Sequence, residues 1–130
     1  MPHLTIEYSG NLDGHVDFAK LCRTVHASIL GTGLFELGAV RVRTIQSRDY
    51  AVADLLPENG FIDMSFRIGR GRTEAEKKST GDAIFQAVSD ELSELFATPH
   101  FALSLEIREI DPDLSWKKNA IHPRLRAAKG

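Results

Sequence analysis

Along the first residues, Leu4, Ile6 and Tyr8 alternate with His3, Thr5 and Glu7, the period of a strand with one buried face. Gly10 and Asn11 end that run. From Asp17 the spacing changes to three and four: Phe18, Leu21, Cys22, Val25, Ile29 and Leu30 fall on one helical stripe, closed by Gly31 and Gly33. A second strand is expected from Val40 to about Ser47, with Arg41 and Arg43 on the face opposite Val42. Residues 48–60 form a polar connection rich in turn formers, in which Tyr50 to Leu55 could fold as a short hairpin arm. The pattern then begins again. Ile62, Met64, Phe66 and Ile68 alternate with polar neighbours, and Thr73 with Glu76 has the form of a capping box. Ile84, Phe85, Val88, Leu92, Leu95 and Phe96 make a second helical stripe ending near Thr98 and Pro99, before a fourth strand from Phe101 to Ile110. The stretch from Leu114 to Leu125 shows no period and is expected to be irregular, with Trp116 an anchor for a neighbouring subunit.

The chain is thus a β-α-β unit written twice, and the fold class is α+β. Right-handed crossovers place both helices on one face of a four-stranded mixed sheet. The expected divisions are unit one over about 2–47, a linker over 48–60, unit two over about 61–110 and a C-terminal arm over 111–130, all within a single domain. The opposite sheet face carries His3, Thr5, Arg41, Arg43 and Ser65, a mixed surface suited to association with other copies of the chain.

Composition narrows the function classes. The 130 residues are 42% hydrophobic and 26% charged with a formal net charge of -2, which fits one globular unit and gives no basic footprint for nucleic acid or an anionic membrane. One cysteine, Cys22, allows no internal disulfide, and neither a signal sequence nor a membrane span is apparent. The cytoplasm is the expected compartment. The five histidines show no metal-ligand spacing, so no metal is expected. GRGR over 69–72 lacks the lysine and spacing of a phosphate-binding loop, and Cys22 lies on the apolar stripe as a core residue rather than a nucleophile.

Pro2 is the residue with unusual chemistry. A small second side chain favours removal of Met1, which would leave Pro2 as a terminal secondary amine. An ordinary α-amino group titrates at about 7.7–8.0. Burial or nearby cations lower that value toward neutrality, where a general base works best. Arginines beside it would also grip a carboxylate through paired hydrogen bonds.

This proline, the doubled β-α-β unit and GRGRTEAEKK at the second helix resemble the tautomerase superfamily, which uses an amino-terminal proline as acid and base. Within it, MPH, TGLFELGAVRVR, IGRGRTEAEK, FALSLEIREI and WKKNAIH are similar to the 5-carboxymethyl-2-hydroxymuconate isomerases, whose subunit looks like two 4-oxalocrotonate tautomerase units fused end to end. The resemblance implies Pro2 as base, Arg41 and Arg72 as the substrate-binding arginines, a carboxylated dienol substrate from aromatic (homoprotocatechuate) degradation, no cofactor and a homotrimer. Arg43 is a further candidate for substrate contact, with an ion pair as its alternative. In the short tautomerases each unit holds both a proline and, ten residues on, an arginine. Here Leu12 follows Pro2 at that distance and Ile62 precedes Arg72, so one working site per chain is expected. His122 and Asn119 fit structure or subunit contact. Alternatives are another tautomerase activity, such as phenylpyruvate-type keto-enol exchange, or a non-enzymatic oligomeric binding module.

Overall fold

The computed structural model describes residues 1–129. The alternating runs are strands: β1 over His3–Ser9, β2 over Arg41–Ser47, β3 over Gly60–Gly69 and β4 over Phe101–Ile110. They form one sheet in the order β2-β1-β3-β4, with β1 parallel to β2, β3 parallel to β4, and β1 antiparallel to β3. The helices α1, Phe18–Gly31, and α2, Glu74–Glu91, are the crossovers of the two β-α-β units and pack against each other.

Between helices and sheet lies the core. Leu4 and Ile6 of β1, Met64 and Phe66 of β3, Leu21, Val25 and Ile29 of α1, and Ile84 and Val88 of α2 are all fully buried. Thr5 pairs with Ser65 across the central seam, and buried Leu4, Ile6 and Tyr8 match Met64, Phe66 and Ile68. A pseudo-twofold axis through the Thr5–Ser65 pair therefore relates the units. Cys22 packs at the margin of the core, where burial pushes its thiol pKa up, the opposite of what a nucleophile needs.

Local chemistry fixes the helix starts. Asp17 caps α1 by accepting from the Lys20 amide at 3.0 Å. Thr73 and Glu76 form the reciprocal box at α2, at 3.1 and 2.9 Å, so each satisfies an amide that would otherwise end the helix unpaired.

Four expectations need correction. Strand β2 starts at Arg41, because Leu37–Ala39 winds into a 3-10 turn and Val40 caps it. No hairpin forms over Tyr50 to Leu55; the segment is an irregular loop in which Ala53 and Leu55 adopt positive φ, 51° and 67°. Side-chain bonds hold this loop instead of a strand ladder: the Asn11 amide N–H donates to the Tyr50 hydroxyl, and Asn59 Nδ2 donates to the Val52 carbonyl and the Asp54 carboxylate. The second helical stripe is narrower than its apolar residues suggest. Leu92 leaves helical geometry at ψ 22° and only a short α3, Ser93–Phe96, follows. Phe85 and Phe96 are exposed, at 39% and 45%, Phe85 because it stands one residue round the helix from Ile84. Finally, the arm is not irregular throughout: Ile121–Lys129 is a helix, α4. Asn119 Oδ1 accepts from the amides of Ile121 and His122 at 2.8 and 3.2 Å, and Pro123 falls in the first turn, where its missing N–H costs nothing.

Among the described residues no helix is long and apolar enough to cross a membrane. The capping box yields a direct test. Thr73→Ala should lower stability by about 1 kcal/mol, read as a reduced urea midpoint with unchanged slope.

Candidate active site

Pro2 directly precedes the central strand β1, where a residue without an N–H removes no ladder bond. It is buried, and its carbonyl accepts from the Arg41 amide at 3.2 Å. The parallel register sets His3 against Arg41, so the start of β2 is tied to the chain's amino end. The Arg41 side chain turns back through Nη1 to the Ala39 carbonyl at 2.7 Å.

Arg72 arrives from β3 through Gly71, whose φ of 121° is open to glycine but strained for other residues. Its guanidinium lies over the Phe35 ring, 4.0 Å from the centroid, and donates to the carbonyls of Leu34 at 2.8 Å and Gly69 at 3.3 Å. The plane is thus fixed by a ring face and two carbonyls from separate elements, the preorganisation that suits paired carboxylate recognition.

Pro2, Phe35, Arg70 and Arg72 line one cavity of about 520 Å³, together with Met1 and Lys117. Its roof is the C-terminal arm. Asn119 Nδ2 donates to the Gly38 carbonyl at 2.9 Å. Arg126 grips Glu36 through two nitrogens, with Nη2 at 2.7 Å. His122 Nδ1 stands 3.4 Å from Glu36 Oε2, yet the contact lacks hydrogen-bond geometry. The imidazole therefore packs as part of the roof rather than as a bonded partner. Asn119 and His122 make these contacts within their own chain and also line the cavity.

Arg41 does not line that cavity. It lines a second one of about 340 Å³ with Arg67, Lys118, His3, Met1 and Lys117. Arg43 lines neither; it is exposed on the open sheet face with Nη1 3.1 Å from His3 Nδ1. Sequence reasoning overlooked Phe35, Lys117 and the Glu36–Arg126 pair, since nothing local in the chain connects residue 36 to residue 126. Lys117 did stand in the WKKNAIH stretch.

The electrostatics at the chain's start are one-sided. The Met1 ammonium is held below its ordinary pKa, first by burial and then by Lys117, Arg41, Arg72 and Arg67. The pseudo-twofold partner of this region holds none of these groups. Ile62 is buried in mid-strand, Leu12 is buried where an arginine would stand, and the loop over 48–59 is bonded across that end through Asn11 and Asn59.

A four-stranded sheet of two β-α-β halves, with a cation-lined cavity at the amino end of one of them, defines a tautomerase-fold enzyme that interconverts keto and enol groups. The family model for 5-carboxymethyl-2-hydroxymuconate isomerase matches residues 2–125, and the chain belongs to that family. It is 30% identical over 122 residues to the 5-carboxymethyl-2-hydroxymuconate Delta-isomerase of Escherichia coli, covering 94% of this chain and 97% of that protein. The crystal structure of a 5-carboxymethyl-2-hydroxymuconate isomerase from Deinococcus radiodurans R1 superposes with a TM-score of 0.90 at 38% identity, over 96% of this chain and 94% of that one. A symmetric trimer of fused 4-OT shares the fold, with a TM-score of 0.66 at 15% identity over 89% and 93% of the two chains. As a family member the chain is an isomerase, which sets aside the binding-module alternative.

The roof has its own test. A Cβ on Gly38 would fall 2.7 Å from His122 Nδ1 and 3.3 Å from the His122 Cα. Gly38→Ala should therefore cost about 1–3 kcal/mol of overpacking, detected as faster amide exchange over residues 121–128 than elsewhere.

Proposed function

We propose that the chain, working as one duplicated domain, converts the dienol 5-carboxymethyl-2-hydroxymuconate to its unsaturated ketone, with Pro2 as the proton carrier. The observation that carries the reading is the buried amino end of β1 surrounded by Arg41, Arg67, Arg72 and Lys117. With Met1 removed, the Pro2 nitrogen becomes a secondary amine beside the same cations. They depress its pKa and favour the free base.

Pro2 nitrogen takes the proton of the 2-hydroxyl. The oxygen electrons close the C2 carbonyl, the diene shifts to C3–C4, and the C4–C5 electrons accept the proton at C5. No atom is gained or lost. Negative charge develops on the dienolate oxygen and its neighbouring carboxylate, and Arg41 and Arg72 stabilise it. Such an effect grows where water is excluded, and the arm covers part of the cavity that holds Arg72. The residues ask for neither metal nor redox cofactor. Arg43 is assigned to its contact with His3 on the sheet face rather than to substrate.

A monocarboxylate such as phenylpyruvate would leave most of these cations unmatched, so the polyanionic dienol is the better fit. The role in aromatic catabolism, degrading homoprotocatechuate, follows from that substrate. A homotrimer is supported by the uncovered edges of β2 and β4, by Ile45 at 50% exposure on the open sheet face, and by Leu114 and Trp116 at 73% and 87%. Trp116 would seat on a neighbouring subunit. The lone, core-packed cysteine suits a reducing cytoplasm.

While Met1 is attached, the Pro2 nitrogen is a tertiary amide with no basicity. Intact-mass measurement on the native protein should show the chain without methionine, and Pro2→Ala should lose on the order of 10²-fold or more in kcat in an ultraviolet assay on the dienol. A fully active, methionine-bearing chain would sink the proline mechanism. The pH profile supplies a second test. Because burial and cations disfavour the protonated amine, kcat/KM should rise with pH through an apparent pKa below the ordinary α-amino range of about 7.7–8.0. A midpoint at or above that range would contradict the electrostatic assignment.

A further inference from the structure

Arg41 and Arg72 stand in different cavities, although both are assigned to one substrate. The two cavities share only Met1 and Lys117 among their lining residues. Met1 therefore borders both. Its removal, which the proline mechanism requires, would join them into one trough with Pro2 and Arg72 on one side and Arg41 on the other. Lys117 stands at the junction.

The trough's charge exceeds what two arginines explain. A hydroxymuconate has a carboxylate at each end of a six-carbon diene, and the 5-carboxymethyl branch adds a third, set off from the chain axis. Two guanidinium groups match the two ends. Lys117 is exposed and has no ion pair among the described residues, and it reaches both halves of the trough from the arm. A compact ammonium on a flexible stem suits a lone carboxylate away from the axis, whereas the paired geometry of arginine suits the ends. Arg70 lines only the Arg72 side, and Arg126 is already held by Glu36.

We propose that Lys117 determines specificity by taking the branch carboxylate of the tricarboxylate dienol while Arg41 and Arg72 hold the chain ends. The inference rests on the substrate reading given above. It makes the C-terminal arm the element that separates branched from unbranched dienols.

The test compares 5-carboxymethyl-2-hydroxymuconate with 2-hydroxymuconate, the same diene without the branch. Wild type, Lys117→Met and Lys117→Arg are assayed where activity no longer changes with pH, so that altered amine protonation drops out. The ratio of kcat/KM for the tricarboxylate to that for the dicarboxylate should fall about 10- to 100-fold in Lys117→Met, the worth of one charged hydrogen bond, chiefly through KM. Lys117→Arg should recover most of it. An active wild type whose ratio is unchanged in Lys117→Met, whether both activities fall together or neither does, overturns the role of Lys117 alone. A wild type that turns over neither dienol overturns the substrate reading and this inference with it.

Discussion

Six consecutive pairs, from His3 opposite Arg67 to Tyr8 opposite Ile62, hold β1 and β3 antiparallel at the middle of the sheet, and the other elements take their places from that seam. Because a one-residue slip would turn Leu4, Ile6, Met64 and Phe66 out of the core, burial pins the register. The parallel partners then bring Arg41 to the start of β1. The turn after β3 delivers Arg72 to the same end of the sheet, since antiparallel strands exchange their ends. Placing a chain terminus, a β2 arginine and a β3-turn arginine together needs no long-range bond between them beyond the ladder itself.

The site adds a constraint that the ladder does not supply. Clustered cations repel, and they persist here because carbonyls and one ring face hold them: Ala39 for Arg41, and Leu34, Gly69 and Phe35 for Arg72. All but Gly69, the last residue of β3, come from the segment after α1, which the arm then clamps through Gly38 and Glu36. Floor, walls and roof are thus separate pieces of sequence, each stabilised on its own terms before a substrate arrives.

Much of this was readable in the chain. The β1, β3 and β4 alternations, the α1 stripe and the Thr73–Glu76 box are local signals, in which neighbours three, four or two positions apart state their own geometry. What stayed hidden depends on contacts far along the chain. The α4 segment has little apolar periodicity and is helical because Asn119 caps it and Arg126 meets Glu36 across the cavity. The loop over 50–55 has alternating side chains, yet its hydrogen bonds go to Asn11 and Asn59 rather than to a second strand. The groups around Pro2 followed the same division: Arg41 and Arg72 carried motif neighbours, whereas Lys117 acquires meaning only once the arm folds back over residue 2.

That fold-back has a consequence in time as well as space. During synthesis residue 1 leaves the ribosome well before residues 111–129, so the arm reaches the amino end only after β1 has been made. Once the arm docks, Met1 lies half-buried, lining both the cavity that holds Arg72 and the one that holds Arg41. The two ends of the chain are therefore joined through one cavity: the first residue made becomes part of a wall that only the late-made arm completes.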